Sequence, residues 1–171
     1  MRNASVAFNF KIQPYGEKSS EPNAAKAKAV RQAVANLIDR DELATKVYKS
    51  TYTPLYSFIP DGLTAHNDTL KSAYGDGKGK PSADKVKKVL SDAGVKTPVD
   101  LKLQYNGDHY GSSSADEYAA IKSQLESSGL FKVDLQSTDG RSSTRNAWSP
   151  TPPTAPTRST SSAGSRTTPI R

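Results

Sequence analysis

The chain changes character at Gly140, and that break decides how much of it can fold. Residues 1–139 carry all 17 Asp and Glu, whereas residues 140–171 hold no acid and draw 24 of their 32 positions from Ser, Thr, Pro and Arg. Trp148 and Ile170 are the only large apolar side chains in that tail. Fixing the backbone of one residue costs about 1–2 kcal/mol, which so little apolar surface cannot offset. The expectation is a folded domain over 1–139 and a disordered tail over 140–171.

The same break accounts for most of the apparent basicity. Of 24 Lys and Arg, Arg141, Arg145, Arg158, Arg166 and Arg171 lie in the tail, leaving 19 basic against 17 acidic residues in the body. A net charge of +7 invites a small basic nucleic-acid-binding protein that uses the arginine-bearing tail on phosphates. Those arginines stand singly among hydroxyl residues and prolines, without the clustering or aromatic interleaving of a nucleic-acid surface. That reading is kept as the alternative.

Hydrophobic periodicity in the body alternates between strand and helix. Val6, Phe8 and Phe10 alternate with Ala7, Asn9 and Lys11 as a short strand, closed by Pro14-Tyr15-Gly16. Asn23 caps a helix whose Val30, Val34, Leu37 and Ile38 recur at helical spacing on one face. Asp39 and Glu42 have capping-box spacing, so a second helix starts at Arg40 and turns Leu43, Val47 and Tyr48 inward. The apolar run from Thr51 to Gly62, with Pro54 and Pro60, reads as an extended connection lying on a protein surface.

Ser82 opens a helix with Val86, Val89, Leu90 and Ala93 on one side and Gly94 as its stop. Val99, Leu101, Leu103 and Tyr105 alternate as a strand, and Phe131, Val133 and Leu135 as another. Between them Ser114 and Glu117 form a further capping box for a helix carrying Tyr118, Ile121 and Leu125. Strand, helix, strand favours a parallel pair with a right-handed crossover. The fold class is α/β, or α+β.

Motifs of catalysis fail one by one. The loop Gly75-Asp76-Gly77-Lys78-Gly79-Lys80 lacks the Gly-Lys-Ser/Thr ending of a phosphate-binding loop and no strand feeds it, so it reads as a solvated loop. Asp39-Arg40-Asp41-Glu42 is explained by the charges a helix start needs. His66 and His109 are the only histidines, neither at metal-ligand spacing, and His109 has no nucleophile pattern beside it. With no cysteine either, no metal, cofactor or enzymatic activity is expected. No stretch approaches the roughly 20 apolar residues of a membrane span, so membrane insertion is not expected. The amino-terminus shows no evident signal peptide.

One ordered set of segments carries more. It runs from Val6-Ala7-Phe8-Asn9-Phe10, through Ala29-Val30-Arg31-Gln32-Ala33-Val34 and Leu37-Ile38-Asp39-Arg40, to Tyr56-Ser57-Phe58-Ile59-Pro60-Asp61-Gly62. Leu90-Ser91-Asp92-Ala93-Gly94, Leu101-Lys102-Leu103-Gln104-Tyr105-Asn106 and Val133-Asp134-Leu135-Gln136 complete it. The series resembles the solute-binding proteins of peptide ABC transporters, the oligopeptide- and dipeptide-binding family, over roughly residues 6–139.

The resemblance implies an incomplete lobe of a two-lobed periplasmic-binding-protein-like fold, the start of the second large lobe, with the amino-terminal lobe absent. It implies an extracytoplasmic, monomeric receptor that binds peptide and hands it to ABC permease subunits. Asn9 matches the family asparagine on the strand entering this lobe and is the leading ligand contact, with Phe10 beside it. Tyr56 and Phe58 come next, their alternative role being to cover the preceding helix.

The family continues with a tryptophan and a segment like Tyr-Gln-Leu-Gly-Trp-Phe-Pro-Asp-Tyr-Ser-Asp, whose first aspartate is the expected partner of the peptide's α-amino group. Written in GC-rich codons and read one base later, that segment becomes Thr160 to Pro169 followed by a codon compatible with Ile170. The same shift of a plausible continuation after Asp139 yields Gly140 to Trp148. The tail is therefore expected to be out-of-frame sequence that replaced the rest of the binding lobe.

Overall fold

A computed structural model describes residues 6–57, 59–60, 62–67, 69–107 and 113–138. Phe58, His109 and the tail from Gly140 lie outside the described residues. The elements are α1 (Ala24–Leu37), α2 (Arg40–Lys46), α3 (Thr69–Ala73), α4 (Ala83–Asp92), β1 (Val99–Asn106), α5 (Ser113–Ser127) and β2 (Phe131–Thr138).

Capping chemistry fixes three of the helix starts. Asn23 Oδ1 accepts the N–H of Lys26 at 3.0 Å, Asp39 Oδ1 that of Glu42 at 2.9 Å, and Ser82 Oγ that of Lys85 at 3.4 Å. Each bond satisfies a donor that a first helical turn leaves without an intrahelical partner. At the far end of α4, Gly94 takes φ +65°, a left-handed conformation that costs little without a Cβ.

β1 and β2 pair in parallel, in register from Val99 with Phe131 to Asn106 with Thr138, joined through α5 as the alternation predicts. Period-two geometry sends Val99, Leu101, Leu103, Phe131 and Val133 to one face, where all five are buried. They share a single core with Val30 and Val34 of α1, Val86 and Leu90 of α4, and Ile121 and Leu125 of α5. The opposite face presents Asp100, Lys102 and Gln104 against Lys132, Asp134 and Gln136, all exposed but the half-buried Gln136. A parallel sheet is usually covered on both faces; among the described residues this one is covered on one.

Three expectations need correction. Val6 to Phe10 forms no strand: Val6 and Phe8 pack against the core, but Asn9 and Phe10 turn outward. Alternation establishes which side chains can go inward, whereas a strand also needs a ladder partner, and among the described residues the only sheet is β1–β2. The Ser114–Glu117 box does not form, because α5 starts at Ser113 and the Glu117 carboxylate instead accepts the Tyr48 hydroxyl at 2.6 Å. The loop after Tyr74 is tied down rather than merely solvated. Asp76 Oδ1 accepts the N–H groups of Lys78 and Lys80, and Gly75 N–H donates to the buried Asn36 Oδ1 at 2.7 Å. The short α3, with no buried residue, went unpredicted because it has no apolar face to announce it.

Leu125 is fully buried between α5 and the sheet. Leu125→Ala should lower the unfolding free energy by about 2–5 kcal/mol, the usual range for a buried Leu cavity. Lys87→Ala on the exposed side of α4 should stay within about 0.5 kcal/mol. Chemical denaturation followed by circular dichroism measures both, and equal midpoints would show that the core is elsewhere.

Candidate functional site

Asn9 and Phe10 sit on one exposed turn. The Asn9 carbonyl accepts the N–H groups of Ile12 and Gln13 at 3.2 and 2.9 Å, while its side-chain Oδ1 accepts that of Lys11 at 3.0 Å. Phe10 is 60% exposed and its ring lies 4.7 Å from the guanidinium of Arg31 on α1. Arg31 is itself held by Gln13 Oε1 at 3.0 Å, so the turn and the middle of α1 form one unit.

Tyr56 belongs to a different place, the corner where α1 gives way to α2. Asn36, Arg40, Tyr56, Gly75, Gly79 and Lys80 are among the residues lining a shallow recess there that has no room inside for a water-sized sphere. Asn9 and Phe10 do not line it. Pockets that hold drug-sized ligands run to about 300–1,000 Å³, so this recess alone holds none.

The Tyr56 ring lies between two cations, 5.1 Å from the Arg40 guanidinium and 5.6 Å from Lys71 Nζ. Its hydroxyl is buried without a hydrogen-bond partner among the described residues, and burial together with the nearby Asp41 carboxylate pushes its pKa up. A Cβ on Gly79 would stand 2.7 Å from that hydroxyl oxygen, so the absence of a side chain is what lets Tyr56 seat. Tyr56 thus ties the connection after Tyr52 to the corner.

Lys80 closes the corner, with Nζ 3.1 Å from Asp39 Oδ2 and 3.9 Å from Asp41 Oδ2. The two carboxylates hold the Lys80 ammonium above its ordinary pKa. The arrangement balances charge; it offers no nucleophile with a base beside it. Among the described residues no group of His, Cys, Asp and Glu could hold a metal ion.

Sequence reasoning missed a second aromatic group, at the carboxyl end of β1. Tyr48 and Tyr52 meet edge to face at 4.8 Å, and Tyr105 stacks on Tyr118 at 5.4 Å. Glu117, the residue before Tyr118 on α5, links the pairs by accepting the Tyr48 hydroxyl. Burial, and then this carboxylate, push the Tyr48 pKa far up, so the phenol stays a donor. Lys49 and Ser50 have φ of +49° and +62°, which reverse the chain after Tyr48 and return Tyr52 to it. The left-handed region costs a non-glycine residue about 1–2 kcal/mol, a strain no sequence pattern announces.

The sequence model of the family described as bacterial extracellular solute-binding proteins, family 5 Middle, matches residues 1–160, running past Gly140. Among curated protein sequences, none matches at a significant level. The murein tripeptide binding protein MppA of Escherichia coli shares the fold at TM-score 0.57 and 24% identity, over 72% of this chain and 24% of its own. AgaA of A. tumefaciens R10, in complex with agropinic acid, does so at TM-score 0.58 and 22% identity, over 72% and 24%. OppA of Haemophilus influenzae, in complex with the peptide RPPGFSPFR, gives TM-score 0.54 and 19% identity, over 76% and 25%. The chain thus spans about a quarter of the length of these proteins.

Gly79→Ala adds the blocked Cβ at φ +99° and should destabilise the fold by about 1–3 kcal/mol. An unchanged denaturation midpoint would mean Tyr56 is not seated against that glycine. Asp76 tests the loop by pH. Its carboxyl pKa is lowered, first by the N–H of Lys78 and then by that of Lys80, so its contribution is present above the ordinary aspartate pKa and lost as pH falls through the lowered one. Asp76→Ala should therefore destabilise at neutral pH, and the gap from wild type should close in acid; a gap independent of pH would contradict it.

Proposed function

The chain belongs to the bacterial extracellular solute-binding proteins of family 5, and on that premise we propose that it is part of an extracytoplasmic receptor that binds oligopeptides or dipeptides and delivers them to ABC permease subunits. The carrying observation is the family match over residues 1–160. The tripeptide-binding and peptide-bound proteins of the same fold support the ligand class, although the agropinic acid complex shows that this fold also takes other solutes. The role is binding rather than catalysis, and the receptor acts as a monomer.

In this reading Asn9 and Phe10, exposed on their turn, meet the ligand, and Tyr56 and Phe58 form a second group of contacts. Recognition of an extended peptide rests on main-chain hydrogen bonds, supplied by both walls of a cleft. Residues 1–139 supply one wall. Residues 140–171 enter this reading as out-of-frame sequence in place of the segment that carries the family's amine-binding aspartate, although the family match itself runs on to residue 160.

The coding DNA tests the tail directly. Moved by one base, the codons after Asp139 should read as a tryptophan followed by a Tyr-Gln-Leu-Gly-Trp-like segment, and any other reading sinks the idea. Calorimetric titration of the 171-residue chain with short peptides should show no binding of micromolar strength, whereas the frame-restored protein should bind at about micromolar strength or tighter. A restored protein indifferent to peptides would overturn the receptor reading.

A further inference from the structure

Among the described residues, basic side chains already lie over several aromatic rings. Lys26 stands 5.1 Å from the ring of Tyr15, Arg31 covers Phe10, and Arg40 and Lys71 flank Tyr56. The rings of Tyr48, Tyr52 and Tyr105 have no such cation among the described residues, although Tyr48, which carries Tyr52 against it, donates its hydroxyl to the Glu117 carboxylate. Tyr52 is 50% exposed, and Tyr48, Tyr105 and Glu117 are half-buried, so the band opens to solvent.

We propose that Tyr48, Tyr52, Tyr105, Tyr118 and Glu117 form a binding surface for the cationic head of a basic side chain, Lys or Arg, of a bound peptide. The inference rests on the peptide-receptor reading and adds a preference to it. Aromatic faces attract ammonium and guanidinium groups through the ring quadrupole, most strongly where water is partly excluded. Glu117 supplies the opposite charge, and the Tyr48 hydroxyl holds that carboxylate in place at 2.6 Å.

The position fits independently of the chemistry. Tyr105 lies near the carboxyl end of β1, beside the start of α5, and crevices outside the carboxyl ends of parallel strands are where α/β sheets hold ligands. The strained turn at Lys49 and Ser50 brings Tyr52 onto Tyr48 and so completes the band.

The full 171-residue chain can be titrated with N-acetyl-arginine amide and, in parallel, with its neutral isostere N-acetyl-citrulline amide, following tyrosine ring signals by NMR. Saturable shifts at Tyr48, Tyr52 and Tyr105 with arginine only, weakened at least several-fold in Glu117→Gln and in Tyr52→Leu, are the expected result. Gln can still accept the Tyr48 hydroxyl and Tyr52 is at the surface, so both variants should keep the circular dichroism of wild type. Equal response to citrulline, or no saturable response, overturns the proposal. Ring signals that move instead on Arg141→Ala and Arg145→Ala without added ligand would assign the surface to the chain's own tail and overturn it too. In the frame-restored receptor, peptide binding without preference for a basic residue defeats this inference alone, whereas loss of all peptide binding defeats the receptor reading.

Discussion

Asp39 is the point on which the described structure turns. Only 8% exposed, it caps α2 through the Glu42 N–H, pairs with Lys80 from the glycine loop, and is gripped at its backbone by Gln124 of α5, whose amide accepts its N–H at 3.0 Å and donates to its carbonyl at 3.3 Å. One residue therefore joins the α1–α2 corner, the loop before α4 and the crossover helix. A buried carboxylate is tolerable because every nearby demand on it is met by a donor or an opposite charge. The recess beside Tyr56 takes its position from this corner.

The helices with buried faces are legible in the sequence because their information is local. A cap needs one side chain within three residues of its donor, so Asn23, Asp39 and Ser82 could be recognised without knowing the fold, and the apolar faces of α1, α4 and α5 followed from spacing. β1 and β2 were equally legible, since strict alternation admits one inward face and the helix between them favours a parallel pair. Val6 to Phe10 shows the limit. The pattern of a strand was read correctly, but pairing depends on residues distant in the chain.

The candidate sites divide in the same way. Asn9, Phe10 and Tyr56 entered through resemblance, and the structure places the first two on one turn and the third at another corner. The tyrosine band was invisible beforehand because it joins the turn after α2, β1 and α5, three segments with no shared motif. Its nearest sequence signal, Glu117, had a better local explanation as half of a capping box. Competition between a local bond and a distant one was settled by Tyr48, which no nearest-neighbour rule considers.

The outward face of the sheet does more than meet water. Sliding β2 by two residues would keep every apolar side chain inward, so the core alone cannot distinguish the native alignment from its nearest alternatives. The charges can. In the native register Asp100 opposes Lys132 and Lys102 opposes Asp134. A slip one way sets Asp100 against Asp134, and a slip the other way sets Lys102 against Lys132, so each misalignment meets like-charge repulsion. Four exposed residues that contribute little to the stability of the finished fold thus act as a key that only one alignment of the strands will turn.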